Sequence, residues 1–594
     1  MLRHGYLSPS GHQRTESKGY NKSQLACTLP EEVLRKIFIS CARLSVDEDW
    51  SWAIISHVCS TWRRTALNYQ DLWRYIDFSH PKWHAITSQR AKMSSLHVIT
   101  TVTDENTRLL HRTLQLAHRI QDIHLKSSVQ QIYPFLEILS HPNPALESLI
   151  VDINVPDDAS YVDGFDPPSF PTTGPPLTNL KYMELHNAPF YLFTSRCTSL
   201  THFHLHDLHM TDRPTLQYFL FMLEQLSNLQ ELTLDRAFPI NVDLGDNQAQ
   251  VKPIDMPQLQ TIILTGSVPE ITNILECIII PPFARLVGKI CTLSDLRSNV
   301  WRLTDTLSKH SWGGGGGLPL DTLVLSGQEL CSRFVDGLEC NSEFRQSIRI
   351  RGFKADCEHK GSAIDLTVGP EEYDPSDHGM IITLCAIWKA LSLIQVHTLA
   401  LKDLNIVTQK TWTRFLRTLP SLRVLDITGR APSGLVWATL LNARSHGRGC
   451  KAGQNEALGQ RLLIPRLKDL YLHNVDCASG GFMVAPNSPI NSHYDLDDSR
   501  FLDVLLASLK ERRRFGLYLR SLSIAKCVHV LRRNVDDARA AVEHLVCDIR
   551  HVSKDEDVDA DSPARYWEGC NLRLIPELRH YHRLRTLLQL DSKA

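Results

Sequence analysis

The sequence has no Cys-x-x-Cys pair, no long apolar run and almost no net charge, and each absence removes a class of protein. Its fifteen cysteines are scattered, so neither a disulfide framework nor a zinc ribbon can be read from their spacing. The formal net charge is −1 over 594 residues, which gives no bias toward nucleic acid or anionic membrane. Arg512-Arg513-Arg514 is the one basic run of note and reads as a solvated helix face. The most apolar stretch, Ile274 to Phe283, contains Glu276 and ends at Pro281-Pro282, well short of the ~20 residues a spanning helix needs. The N-terminus has no apolar signal core, so the sequon Asn21-Lys22-Ser23 carries little weight. Gly313 to Gly317 continue into Leu318-Pro319, not into the Lys and Ser or Thr of a phosphate loop. No His-Glu-x-x-His, Gly-x-Ser-x-Gly or kinase signature is present. The expectation is a cytoplasmic or nuclear protein with no membrane or nucleic-acid partner, no cofactor, no metal and no catalytic residue.

Apolar residues make up 43% of the chain and charged residues 22%, which fits a globular protein too long for one core unless that core is elongated. Residues 1–26 are polar and Gly-rich and are expected to be disordered. A helical unit is expected over 27–80. Thr28 and Glu31 have capping-box spacing, and Pro30 falls in the first turn. Val33, Leu34, Ile37, Phe38 and Cys41 then recur as an apolar stripe about ten residues long, too short to stand alone. Trp50 to Val58 gives a second apolar segment. Ser60 to Leu67 gives a third, with Trp62 and Ala66 on one face, before Leu72-Trp73 and an extended Tyr75 to Phe78.

The order Leu29-Pro30-x-Glu32, Ile37-Phe38, Val58-Cys59, Trp62-Arg63 and Leu72-Trp73 resembles an F-box, the module that docks onto the Skp adaptor of a cullin-type ubiquitin ligase. The long connection from Cys41 to Trp52, followed by Trp83, is similar to the F-box-like proteins of mushroom-type fungi. The resemblance implies that Leu29, Pro30, Val33, Leu34, Ile37, Phe38, Val58 and Trp62 meet the adaptor. It implies as partners the Skp adaptor, through it a cullin, and a client protein, with no chemistry in this chain.

Beyond residue 95 a phrase recurs: apolar, two residues, apolar, one residue, apolar. It runs Leu180/Met183/Leu185, Leu200/Phe203/Leu205, Leu229/Leu232/Leu234, Leu259/Ile262/Leu264, Leu320/Leu323/Leu325, Val396/Leu399/Leu401, Leu422/Leu425/Ile427, Leu467/Leu470/Leu472 and Leu519/Leu522/Ile524, with weaker copies at Ile120 and Leu146. Each combines a turn with a short strand, and helix-like stretches such as Leu216 to Leu226 and Thr411 to Leu419 lie between. One strand and one helix cannot bury their own apolar faces, whereas stacked units can. The fold class expected is α/β: a small all-α N-terminal module, then an irregular leucine-rich-repeat-like solenoid over 95–530, then a C-terminal helical cap and tail over 531–594. Val535 to Val552 is expected to be the capping helix. An unrelated α/β arrangement is the alternative. Polar insertions at 157–176, 313–317, 443–459, 485–499 and 553–562 break the period, and the Asn that ladders such turns is mostly missing, Asn474 excepted.

His202, His204 and His206 share one face of a strand, opposite Phe203 and Leu205, with His209 following. Three imidazoles so placed can contact a metal; lining the open, client-facing side of a repeat strand is the reading taken. Trp301, Trp312, Trp388 and Trp412 are either contact residues or core, core being favoured. The rival functions are a protein-binding scaffold without a ligase role and an enzyme with an unrecognised site.

Overall fold

The computed structural model describes residues 29–44, 51–78, 80–128, 130–132, 134–135, 143–154, 177–188, 197–209, 213–240, 252–292, 296–310, 319–329, 346–354, 362–369, 378–404, 409–429, 435, 463–475, 477, 501–514 and 516–547. The N-terminal 1–26, Thr28 with its capping role, the five polar insertions and Trp312 lie outside these residues.

Most of the recurring phrases fold in the same way, although Leu320 and Leu519 already lie in their strands. The first apolar residue closes a turn, as where the Leu200 N–H donates to the Cys197 carbonyl at 3.1 Å and the Leu229 N–H to the Leu226 carbonyl at 3.0 Å. The next two apolar residues are two apart, point to one side of a strand and are fully buried, as at Phe203 and Leu205 or Leu232 and Leu234. The residue after the strand is left-handed at seven places: Asn187, Asp207, Arg236, Asp403, Gly429, Asn474 and Lys526. Its N–H reaches the end of the neighbouring strand, from Asn187 to His206 O (3.0 Å), Asp207 to Asp235 O (2.8 Å) and Asn474 to Ala525 O (2.9 Å). These corners extend the strand ladder and satisfy backbone groups that a loop would leave open.

The strands are β1 (Leu96–Thr101), β2 (Ile120–Ser128), β3 (Ser148–Asn154), β4 (Tyr182–His186), β5 (His202–His206), β6 (Glu231–Asp235), β7 (Ile254–Asp255), β8 (Thr261–Ser267) and β9 (Ile278–Ile279). There follow β10 (Arg285–Thr292), β11 (Leu320–Glu329), β12 (Gln346–Lys354), β13 (Ile364–Val368), β14 (Thr398–Lys402), β15 (Val424–Thr428), β16 (Asp469–His473), β17 (Leu519–Ala525) and β18 (Val542–Cys547). Sixteen of them form one sheet in the order β1-β2-β3-β4-β5-β6-β8-β10-β13-β12-β11-β14-β15-β16-β17-β18. β7 and β9 pair separately. The chain therefore adds strands in sequence except once. After β10 it skips two positions to β11, and β12 and β13 fill the gap, with β12 antiparallel to both neighbours.

Parallel neighbours need crossovers, and helices occupy several of them, among them Leu216–Glu224, Val268–Cys277, His378–Ala390 and Gln409–Leu416. Ser267 and Glu270 make a capping box that starts the helix at Val268–Cys277. Trp388, Trp412 and Phe415 are buried, with the Trp388 and Phe415 rings 4.2 Å apart. Trp301, by contrast, is 66% exposed. Among the described residues no helix is long and apolar enough to cross a membrane.

Two expectations about the C-terminal region change. The helix there is Arg532–Ala541, and the chain then becomes β18, parallel to β17. Val542 to Cys547 is rich in Val, and the unpaired edge of β17 offers it backbone partners that a continued helix would leave unused. The sheet thus runs past residue 530, and the C-terminal cap contains a strand.

At the other end, the helical unit comprises Glu31–Leu44, a 3-10 helix Ser51–His57, Ser60–Asn68 and a 3-10 helix Gln70–Arg74. It is fastened to the first strands. Ile76 N–H donates to His97 O at 3.2 Å. Arg74 Nη2 donates to Ser95 Oγ at 2.6 Å and Gln121 Oε1 at 3.0 Å. One continuous apolar core runs from Leu34 to Val542.

Candidate functional site

Two surfaces carry the residues singled out in the sequence. The first is the helical unit. Leu34, Phe38 and Ala42 recur every four residues along the helix Glu31–Leu44 and are buried, with the Phe38 ring centroid 5.2 Å from that of Trp62. Leu34 and Phe38 are thus fully buried within this unit, whereas the expectation placed them at the adaptor surface. Trp62 is half-buried beside them, and its backbone N–H donates to Cys59 Sγ at 3.4 Å. The adjacent stripe of Leu29, Val33, Ile37 and Cys41 is apolar too, yet all four are at least partly exposed, Val33 at 40%. Pro30 is also exposed, and its carbonyl accepts from Val33 and Leu34 at 3.1 Å. Ile54, one turn before Val58, is 70% exposed and Val58 47%. Val58 and Leu67 line an open depression with Ser56, His57, Cys59 and Arg63.

The second surface is the polar face of the sheet. Register places Tyr182 beside His202, Glu184 beside His204 and His186 beside His206. On the other side of β5, His202, His204 and His206 face Glu231, Thr233 and Asp235. Rings along β5 lie far apart, with centroids 6.5 Å apart for His202 and His204 and 6.4 Å for His204 and His206. Across strands the spacing is shorter: His186 and His206 stack at 4.3 Å with their planes 8° apart. The three histidines of β5 thus stay a row, and the close group forms with β4.

Hydrogen bonding orders that group. The Tyr182 hydroxyl donates to Glu184, and His186 Nε2 lies 2.6 Å from Glu184 Oε1. The bond with His186 is the main cause that holds the Glu184 carboxyl down at about 2, and in return it raises His186. Burial raises the Tyr182 hydroxyl, and the contact with Glu184 adds to it. Asp235 is lowered chiefly by its contact with His206, whose Nδ1 is 3.6 Å away. Burial lowers His204; its Nε2 is 3.3 Å from Glu231 but is not aligned as a hydrogen bond. Glu184, His186 and His206 can each offer one ligand atom to a metal, all within 4.8 Å, and are the group among the described residues that meets this test.

Ion pairs continue along the face. Lys126 and Asp152 are 3.0 Å apart, Arg349 and Asp365 2.8 Å, and Arg520 and Asp469 2.8 Å. Asp426 on β15 differs. It is 3% exposed, one carboxylate oxygen has no hydrogen-bond partner among the described residues, and burial pushes its carboxyl up to about 6.

Sequence reasoning missed Tyr182, Glu184, His186, Glu231 and Asp235. Aligning the phrases by their apolar residues, Met183 with Phe203 and Leu232, brings these residues together. No protein-family model and no curated protein sequence matches this chain.

Proposed function

We propose that this chain is the client receptor of a Skp–cullin–F-box ubiquitin ligase. The observation that carries the reading is apolar surface beside the buried stripe Leu34, Phe38 and Ala42: Val33 is exposed, and Leu29, Ile37 and Cys41 are partly exposed. That core leaves Val33 exposed and the outer parts of Leu29, Ile37 and Cys41 accessible, although these three also pack against it. Apolar surface of that kind marks an interaction site. Ile54 and Val58 extend the apolar exposure, and the exposed Arg63 and Arg64 add positive charge beside the depression. The adaptor-facing set becomes Leu29, Pro30, Val33, Ile37, Ile54 and Val58.

We read the sheet and its crossover helices as an irregular leucine-rich-repeat solenoid. Sequential parallel strands, one per phrase, and left-handed corners after them support it. Its polar face, with His202, His204 and His206 in the centre of an ion-paired row, is the client side. The chain itself performs no bond chemistry. It holds a client beside a conjugating enzyme carried by the other subunits and raises the local concentration of target lysines.

The test is affinity purification of the full chain from its native cell. Recovery of the adaptor and a cullin with the natural chain, and their loss with Leu29→Ala/Pro30→Ala, supports the reading. Recovery of adaptor without cullin favours the scaffold alternative. Point variants are needed because the helical unit shares its core with the sheet, and its removal would uncover β1.

A further inference from the structure

We infer that Glu184, His186 and His206 form a binding site for a divalent transition-metal cation, zinc foremost, on the polar face between β4 and β5. The inference is independent of any ligase role. Two imidazoles and one carboxylate are the donor set of borderline cations, and a three-donor site leaves a coordination position open to solvent or to a bound molecule.

The geometry selects these three donors over the more conspicuous histidine row. Along one strand, same-face residues are two apart, which separates the β5 rings by 6.4 Å or more. Hydrogen-bonded neighbouring strands run closer, and the in-register pair His186 and His206 uses that spacing, at 4.3 Å. Glu184 lies two residues before His186 on the same face and already contacts it at 2.6 Å. The donors lie within 4.8 Å of one another. Metal bonds of about 2.0–2.2 Å require a tighter set, so the imidazoles turn out of their stack to close on the ion. All three side chains are partly exposed, which leaves room for that turn.

The surroundings supply outer contacts of the kind that orient metal ligands. The Tyr182 hydroxyl donates to Glu184, and Asp235 lies 3.6 Å from His206 Nδ1. Asp152 and Asp207 add negative charge near His186. Lys126 pairs with Asp152, and Arg236 with Asp207 and Asp235, so Glu184 is the carboxylate of this group that the site holds for itself. On binding, the ion takes the place of the proton shared between Glu184 and His186, so binding releases protons.

The test is a Co2+ titration of the chelator-treated full chain, followed by its visible d–d absorption and by displacement with Zn2+. The expected result is one equivalent bound by the natural protein, lost in His186→Ala and in His206→Ala, and retained in His202→Ala. Tyr182→Phe should weaken binding about 10–100-fold, the usual effect of removing an outer-shell partner. Circular dichroism verifies that each variant is folded; if an alanine variant is not, His186→Gln and His206→Gln serve in its place with the same expected loss. Absence of a bound equivalent in the natural chain overturns the inference. So does unchanged binding in a folded His186 or His206 variant, or a loss in His202→Ala as large as in His206→Ala.

Discussion

At the scale of single residues, the polar face holds one group that works against the fold at neutral pH. Asp426 sits between Ala400 and Tyr471 in register and is buried. Its carboxyl is raised to about 6 by burial, against about 3.9 in an unfolded chain. A raised carboxyl binds its proton more tightly when folded. Its stabilising contribution is full below the unfolded value and is lost as pH rises through about 6, a swing on the order of 3 kcal/mol. Urea unfolding from pH 4 to 8 should therefore show Asp426→Asn gaining on the natural protein as pH rises, with little difference at pH 4; a pH-independent difference contradicts the assignment. Gly429 makes the opposite kind of prediction. Its φ is +74°, and a Cβ there would fall on the Asp403 carboxylate. Asn, Asp, Arg and Lys occupy the same corner after other strands, so the backbone strain alone is bearable. Gly429→Ala should cost about 1–2 kcal/mol from that strain, with a further cost for displacing Asp403, read as a lower urea midpoint at unchanged slope.

At the scale of elements, the strands were legible because their signal is local. The apolar triplet in each phrase specifies a turn and the buried side of one strand, and all eleven phrases lie on strands of the sheet. β10, β12 and β13 were not legible. The apolar residues of β12 and β13 alternate without the recurring phrase, as at Ile348 and Ile350, and pairing across the gap left by the skip to β11 places them; β10 has a turn, Ala284 to Pro281, but not the full apolar triplet. β18 was missed for a related reason: only the open edge of β17 makes its Val-rich segment a strand. The metal-type group also depends on pairing, since Glu184 and His186 stand apart from His206 in sequence and meet only in register. Within the helical unit, periodicity identified the apolar positions but not which of two adjacent stripes is turned inward. That division makes a prediction. Phe38→Ala should destabilise by about 3–5 kcal/mol, whereas Val33→Ala should stay within about 0.5 kcal/mol, as measured by chemical unfolding. Equal losses at both positions would mean that the exposed stripe belongs to the core.

At the scale of the whole molecule, one core joins a helical unit with exposed apolar surface to a long sheet whose opposite face carries ion pairs and, at Val324, Phe353 and Ala400, a small buried apolar cluster. The two surfaces have different chemistry, which suits a protein that joins two partners. Ion pairs such as those of Lys126 with Asp152 and Arg349 with Asp365 make the sheet face sensitive to ionic strength, while binding through the apolar stripe should depend on it less. The central claim is that the stripe is an adaptor-docking surface, and its most direct test is calorimetric titration of the purified full chain with a Skp adaptor. A saturable one-to-one complex is predicted. Val33→Glu with Val58→Glu should weaken it by roughly 100-fold or more, as for loss of interface hot spots, with circular dichroism and the unfolding midpoint unchanged. No binding by the natural chain, or equal binding by the folded double variant, would contradict the account.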